Sequence, residues 1–362
     1  MVNIDDLMNP TVLQDRIDAG LVKVRSHPRL PYRIYNYSEL TAYSQAWDEV
    51  TLQCRGLIVD DSGEVIARPF PKFFNDAEHD GERHPQLDLD APVRVSDKLD
   101  GSLGILYPTR DGLYEIATRG SFESEQARWA TDYWQANYAD DYTPAPGFTY
   151  LVEIIYKANR IVVDYDFEDL VLLGVVDNTS GEVLAPFGWG WPGRKSRTFP
   201  YDTLADALRA PVRDNAEGFV VQYRDGTMVK LKLERYVQLH KIVTGMSEKT
   251  VWEHAASGQP FEDLIADLPD EFHDWLTTTW NALQQKRKTI GARAVATYGE
   301  ILDQMVTSGD RKGFAAHAVK HDNRSLLFCL ADGQHDRMND AIWKQLKPRG
   351  DSFMLDHSEA VA

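Results

Sequence analysis

The sequence predicts an α+β fold, with antiparallel sheets and flanking helices up to residue 243 and an all-helical domain over residues 244–362. Three observations predict it. Four pairs of short apolar runs are each joined by a polar turn containing glycine, which is hairpin chemistry. Helical patterns are set between these hairpins, as in α+β domains with mostly antiparallel sheets. Past residue 244, within a few residues, apolar positions take a helical period and no strand pair is evident. A chain of 362 residues is also long for a single core, so two domains are expected.

The hairpins lie in GLIVDDSGEVIARPF, LGILYPTRDGLYEIATRG, LVLLGVVDNTSGEVLAPF and GFVVQYRDGTMVKLKL, with turns at residues 61–64, 110–112, 178–181 and 224–226. A helix is expected over residues 122–137. In the tail, Ser247 reads as a helix N-cap and Gly258 as a helix stop. Phe272, Trp275, Leu276, Trp280 and Leu283 fall on one helical face. GFAAHAVK and NDAIWKQL read as further short helices. Trp189 and Trp191, in GWGWPG, read as a packed loop.

Composition narrows the function classes. Lys and Arg total 39 against 56 Asp and Glu, a formal net charge of −17, with no basic arm or acidic block. Such a chain should not adhere non-specifically to nucleic acid or acidic membranes. Cys54 and Cys329 stand far apart without a C-x-x-C, so neither a disulfide scaffold nor a zinc site is expected, and a reducing cytoplasm fits. The first residues lack the basic and apolar regions of a signal peptide, and no apolar run is long enough to span a membrane. The ten histidines form no zinc-binding spacing and there is no P-loop.

The sharpest local element is Lys98-Leu99-Asp100-Gly101-Ser102, ahead of the apolar run Leu103-Gly104-Ile105-Leu106-Tyr107. A lysine beside a glycine turn and a strand can be held still and approached closely by a ligand. By itself K-x-D-G is equally a surface turn. Further along, Val229-Lys230-Leu231-Lys232-Leu233 follows the strand that Glu217-Gly218-Phe219 begins. Strand periodicity puts Lys230 and Lys232 on one face, where like charges repel unless an anion neutralises them. A solvated outer face is the simpler account of that pair alone.

The ordered series CRGLIVD, KFFN, KLDGS, TRGS, EIIYKANRIVV, EGFVV and VKLK resembles the covalent nucleotidyltransferase superfamily of polynucleotide ligases and capping enzymes, and more closely the phage-type RNA ligase 1 family. It covers about residues 50–240. The resemblance implies a nucleotidyltransferase domain over residues 1–243. It also implies an ATP-dependent RNA ligase that uses Mg2+ or Mn2+ and passes through a lysyl-AMP intermediate and an adenylylated RNA 5′ end. RNA with 5′-phosphate and 3′-hydroxyl ends is the implied substrate, a broken tRNA among the candidates, with an end-healing kinase or phosphatase as a conceivable partner.

The same resemblance assigns residues. Lys98 matches the nucleophile. An ordinary lysine is protonated at neutral pH, and neighbouring positive charge or a metal ion favours the free amine that attack requires. Arg55 and Lys72 match basic residues that contact either pyrophosphate or RNA phosphates, the alternative being ion pairs with Asp60, Asp61 or Asp76. Phe74 matches an aromatic of the same block, or is a core residue. Leu99 and Gly101 belong to the nucleotide-binding lysine block. Arg119 is assigned to nucleotide contacts, the alternative being a turn arginine. Glu153 matches the acid that holds ribose hydroxyls, or else pairs with Lys157. Glu217 matches the metal-binding acid, Gly218 allows close backbone approach, Lys230 and Lys232 match the pair at the α-phosphate, and Tyr236 follows them. Lys157 and Arg160, and in the tail Lys286, Arg287, Lys288 and Arg293, are candidate RNA contacts or simply solvated charges.

Two other classes compete. A non-catalytic RNA-binding protein of this fold would have replaced one of Lys98, Glu217, Lys230 or Lys232, and all four are present. DNA ligases and capping enzymes follow the second lysine strand with a β-barrel, whereas this tail reads as helical.

Overall fold

The computed structural model describes residues 2–234, 236–237, 247–265, 273–305 and 310–348. The chain divides into two compact units, Met1–Val243 and Thr244–Ala362. Position 244 itself and Phe272 lie outside the described residues.

The first unit carries three sheets. Four short helices, Ile4–Leu7 (α1), Pro10–Asp18 (α2), Glu39–Ser44 (α3) and Glu49–Gln53 (α4), accompany an antiparallel sheet of Val22–Ser26 (β1), Tyr32–Tyr37 (β2), Arg55–Asp60 (β3) and Val65–Ala67 (β4). Each helix start is capped by the side chain before it, as where Asp48 accepts the amides of Val50 and Thr51. Two five-stranded sheets follow. One runs Val183–Leu184 (β11), Asp169–Asp177 (β10), Phe148–Ile155 (β9), Ser102–Pro108 (β7), Tyr114–Thr118 (β8). The other runs Thr198–Phe199 (β12), Val93–Lys98 (β6), Gly218–Tyr223 (β13), Met228–Lys232 (β14), Phe74–Asn75 (β5).

All four expected hairpins form, as β3–β4, β7–β8, β10–β11 and β13–β14. Among the strands of the described residues one parallel pairing departs from the antiparallel pattern: β5 lies beside β14, Val229 facing Phe74 and Lys230 facing Asn75. The expected helix starts late, as Glu125–Asn137 (α5), because Ser124 caps the Ala127 amide. Residues 121 and 122 belong instead to the preceding loop, where Ser121 bridges to Thr118 and Phe122 packs edge-on against His27, 4.7 Å between ring centroids.

The cores follow the pleat. One face of the first five-stranded sheet buries Tyr150, Val152, Ile154, Leu170 and Leu172 under Ala130 and Trp134 of α5 and the loop residue Trp191. Trp191 donates its indole N–H to the Leu170 carbonyl, as a packed loop should. The opposite face sets Ile105, Tyr107, Leu151 and Val176 against Ile34, Ile58 and Ala67 of the four-stranded sheet. In the other five-stranded sheet Val95, Phe219, Val221, Val229 and Leu231 pack under Leu204–Leu208 (α6).

In the second unit the described residues form helices and no strand: Glu248–Ser257 (α7), Phe261–Ile265 (α8), His273–Gln304 (α9), Arg311–Ala318 (α10), Arg324–Ala331 (α11) and His335–Gln345 (α12). Ser247 caps the Thr250 amide, and Gly258 ends α7 at φ +78°, a left-handed backbone that glycine adopts without strain. Leu276 and Leu283 are fully buried, and Trp280 packs against Phe261. Arg287 is half-buried, donating to Asn339 Oδ1 at 3.1 Å and lying over the Trp343 ring. Lys286, Lys288 and Arg293 are exposed. No described helix is long and apolar enough to cross a membrane.

Candidate active site

The lysine block is where the two five-stranded sheets join. β6 ends at Lys98, residues 99–101 cross over, and β7 starts at Ser102 in the other sheet. The register across β6, β13 and β14 sets Lys98, Gly218 and Lys232 in one row. Glu217, one residue before that row, is buried, and its Oε1 accepts from Lys98 Nζ at 2.5 Å and from Lys232 Nζ at 2.8 Å. One carboxylate oxygen thus holds the ammonium ends of two strands that flank its own. A Cβ on Gly218 would come within 1.9 Å of the Leu231 carbonyl, so only glycine lets the strands close this tightly.

Gly101 does the same toward the other sheet. A Cβ there would meet the Ile154 carbonyl at 2.6 Å and Glu153 Cγ at 3.2 Å. The lysine loop can therefore lie directly on β9, with Leu99 half-buried in it and Glu153 beside it. Burial pushes the Glu153 carboxyl up to about 8; Lys98 opposes that rise, and the charges of Glu217 and Asp100 add to it. Glu153 is a buried acid of β9 beside the lysine block and not a strand-edge partner of Lys157, which is exposed.

Asp100 is committed to structure. Its Oδ2 accepts the amides of Val162 and Val163 at 2.9 and 2.8 Å, and its Oδ1 accepts the Tyr236 hydroxyl at 2.7 Å. Its own amide donates to Tyr165 Oη. Tyr236, in turn, sits under Lys232, Nζ lying 5.4 Å from the ring centroid. The D of K-x-D-G thus ties two distant segments, residues 162–165 and Tyr236, to the loop after Lys98.

A second set of cations is arranged on aromatic rings. Lys230 Nζ and Arg55 Cζ lie 5.2 and 5.4 Å from the Phe73 centroid. Lys72, itself buried, lies 5.1 Å from the centroids of Trp47 and Phe74 and 5.7 Å from that of Tyr37. Arg119 donates to Tyr37 Oη at 2.7 Å. Phe74 is a buried aromatic that also walls this region, with His84 stacked on it at 3.6 Å. The parallel β5–β14 pairing brings KFFN to VKLK, so Lys230 links this set to Lys232 and Glu217.

Lys157 and Arg160 are not brought to Glu217. They line a cleft of about 230 Å3 with Asp100, Tyr156, Tyr165 and Phe167, and Arg160 pairs with Asp164 at 3.2 Å.

Among the described residues no cluster of three or more His, Cys, Asp or Glu could hold a metal ion. The available donor is the Glu217 carboxylate, a hard oxygen ligand next to two ammonium groups. Those cations would repel a bare dication, so the donor set fits an ion that arrives with phosphate oxygens and keeps much of its water.

Several residues of this site carry no motif. Arg213 donates to Asp97 Oδ1 at 2.9 Å and to the Gly218 carbonyl at 2.5 Å, fastening the residue before Lys98 to the residue after Glu217. Tyr37 and Trp47 join the site as well, and Phe73 does so from within KFFN without a role implied by the resemblance. Only the doubled Phe of KFFN offered a signal in the sequence; Arg213, Tyr37 and Trp47 sit at no spacing that predicts their place.

Comparison with known proteins gives related results. A family profile described as RNA ligase matches residues 53–236. A provisionally named RNA ligase of Thermovibrio ammonificans is 28% identical over 204 residues, a match covering 51% of each chain, so the chain spans about half the length of this relative. The RNA ligase of Rhodothermus phage RM378 is 23% identical over 384 residues, covering 82% of this chain and 85% of the phage protein. Among solved structures, an archaeal ATP-dependent RNA ligase is similar with a TM-score of 0.43 and 13% identity, covering 78% of this chain and 79% of that one.

Proposed function

The chain belongs to the RNA ligase family, and on that premise we propose that it joins RNA 5′-phosphate and 3′-hydroxyl ends at the expense of ATP through a covalent lysyl-AMP. The observation that carries the reading is the Glu217 oxygen shared by Lys98 and Lys232. It gives the Lys98 ammonium a proton acceptor at 2.5 Å and sets a second cation beside it.

In the first step Lys98 Nζ attacks the α-phosphorus of ATP. A P–N bond forms, the bond to the bridging oxygen breaks, and pyrophosphate leaves. Lys230 and Lys232 face the α-phosphate, while Arg55, Lys72 and Arg119 receive the departing phosphates. Phosphoryl transfer asks little of a protein beyond alignment and neutralised charge, which these cations supply. Glu153 accepts hydrogen bonds from the ribose hydroxyls. Glu217 would hold a Mg2+ or Mn2+ that enters with the nucleotide, whose chemistry is neutralisation of phosphate charge. In the second step an oxygen of the RNA 5′-phosphate attacks the same phosphorus and the P–N bond breaks. In the third, the 3′-hydroxyl attacks the activated 5′-phosphorus and AMP leaves.

Residues 1–243 form the adenylyltransferase domain on this reading, and residues 244–362 confer preference for a structured RNA such as a broken tRNA. Ends of other chemistry would first need a kinase or phosphatase. The thiols of Cys54, which burial pushes up to about 12, and Cys329 are free and suit a reducing cytoplasm.

The test is incubation with α-labelled ATP and a divalent metal, followed by denaturing electrophoresis and by sealing assays on single-stranded RNA, a broken tRNA stem-loop and nicked duplex DNA. Label on the protein and sealing of RNA are expected. No protein-bound label, or label undiminished in Lys98→Ala, sinks the mechanism.

A further inference from the structure

We propose that Asn215 is a positioning residue: its side-chain amide clamps the backbone of Asp164 and thereby holds Glu217 in place against the lysine loop. The inference rests on the ligase reading for the reaction it serves but not for the geometry. Lys98 and Glu217 come from distant segments of the chain. A third segment, residues 162–165, is fastened to the lysine loop. Asp100 accepts the amides of Val162 and Val163, and its own amide donates to Tyr165 Oη. Asp164, between these contacts, is held by Asn215. The Asp164 amide donates to Asn215 Oδ1 at 2.8 Å, and the Asp164 carbonyl accepts from Asn215 Nδ2 at 2.7 Å. A side-chain amide carries a donor and an acceptor as a peptide group does. Asn215 therefore satisfies both backbone groups of Asp164, as a paired residue on a neighbouring strand would. Its own backbone sets the turn into the site, with φ at +50°, a left-handed conformation that asparagine enters more readily than most residues. Two residues on, the Glu217 carbonyl accepts the Leu233 amide at 2.9 Å, and Oε1 meets Lys98 and Lys232. Asn215 thus joins the segment that grips Asp100 to the segment that delivers Glu217, closing a circuit that starts and ends at Lys98. A displacement of about 1 Å at a reacting centre can cost about a hundredfold in rate. Asn215 and Asp164 are both exposed, so trimming the asparagine empties no core, and its cost falls on alignment rather than on stability.

The test compares Asn215→Gly, Asn215→Ala and Asn215→Asp. Glycine keeps the left-handed backbone and removes the clamp. Aspartate keeps the acceptor for the Asp164 amide and loses the donor, and alanine loses both the clamp and the ease of the turn. Two readouts are used: kcat and KM for label transfer from ATP, and hydrogen–deuterium exchange at the Asp164 amide. Asn215→Gly and Asn215→Ala should lower kcat about tenfold with KM within about twofold of wild type, the signature of lost alignment rather than lost binding. Unfolding temperature should stay within a few degrees of wild type, and the Asp164 amide should exchange about tenfold faster. Asn215→Asp should recover part of the rate. Wild-type kcat in Asn215→Gly overturns the proposal, because the backbone turn then suffices. A raised KM with unchanged kcat overturns it as well, because Asn215 would then serve nucleotide binding. The glycine variant decides the matter even if the alanine variant fails to fold. A wild-type protein that takes no label from ATP would defeat the ligase reading, while exchange at Asp164 would still decide whether Asn215 holds that segment.

Discussion

Lys98 Nζ lies 2.5 Å from Glu217 Oε1, and the same oxygen is 2.8 Å from Lys232 Nζ. Removing Glu217 therefore acts on both Lys98 and Lys232. Lys98→Ala should abolish label transfer from ATP. Glu217→Ala should lower its initial rate by at least about a hundredfold and lower the unfolding temperature, since two cations lose their buried counter-charge. Rates near wild type in Glu217→Ala would remove it from the site.

Glu153 gives the protein a predictable pH response. Its folded value, about 8, lies above the ordinary 4.5 of an unfolded glutamate. Between those values the unfolded state has lost the proton that the folded state keeps, so stability falls as pH rises through that window and levels off above it. Glu153→Gln, which mimics the protonated form, should melt close to wild type near pH 5 and several degrees above it near pH 9. The upper bound is several kcal/mol, at about 1.4 kcal/mol for each pH unit between the two values. The same variant should bind ATP more weakly. Parallel melting curves across the pH range would show that Glu153 is not the titrating group.

Arg213 fastens Asp97 to the Gly218 carbonyl with one guanidinium group, and its charge stands over the Phe219 ring at 4.3 Å. Arg213→Lys keeps the charge but loses the planar fork. We expect label transfer to fall about tenfold or more, with a modest loss of stability from the missing charge-assisted hydrogen bonds. Wild-type kinetics in Arg213→Lys would mean that the register of β6 and β13 holds the row unaided.

The acidic surface predicts weak binding to generic RNA. The cations around Phe73 and Glu217 form a local positive region on a chain of net charge −17. Affinity for an unphosphorylated random oligonucleotide should be low and fall steeply between about 50 and 200 mM salt. A 5′-phosphate should strengthen binding. Tight, end-independent binding at physiological salt would place a broad basic surface elsewhere.

The hairpins, the helical tail and the lysine block were legible in the sequence because each rests on local chemistry. Glycine turns, strand alternation and capping residues act over a few neighbours, and so the turns at residues 61–64 and 224–226 and the cap at Ser247 announce themselves. The acids and lysines of the candidate site were legible for a different reason, their ordered resemblance to a family, since nothing in residues 217 and 98 alone says that they meet.

What the tertiary structure decided is which charges share a partner and which are held apart. The parallel pairing of β5 with β14 brought Phe73 under Lys230, and no short-range rule encodes a contact between strands more than 150 residues apart in the chain. Arg213, Tyr37 and Trp47 likewise entered the site through side-chain contacts between distant segments. Composition set the overall charge, but only sheet register, through backbone hydrogen bonding between distant segments, determined that Lys98, Gly218 and Lys232 stand in one row across a buried carboxylate.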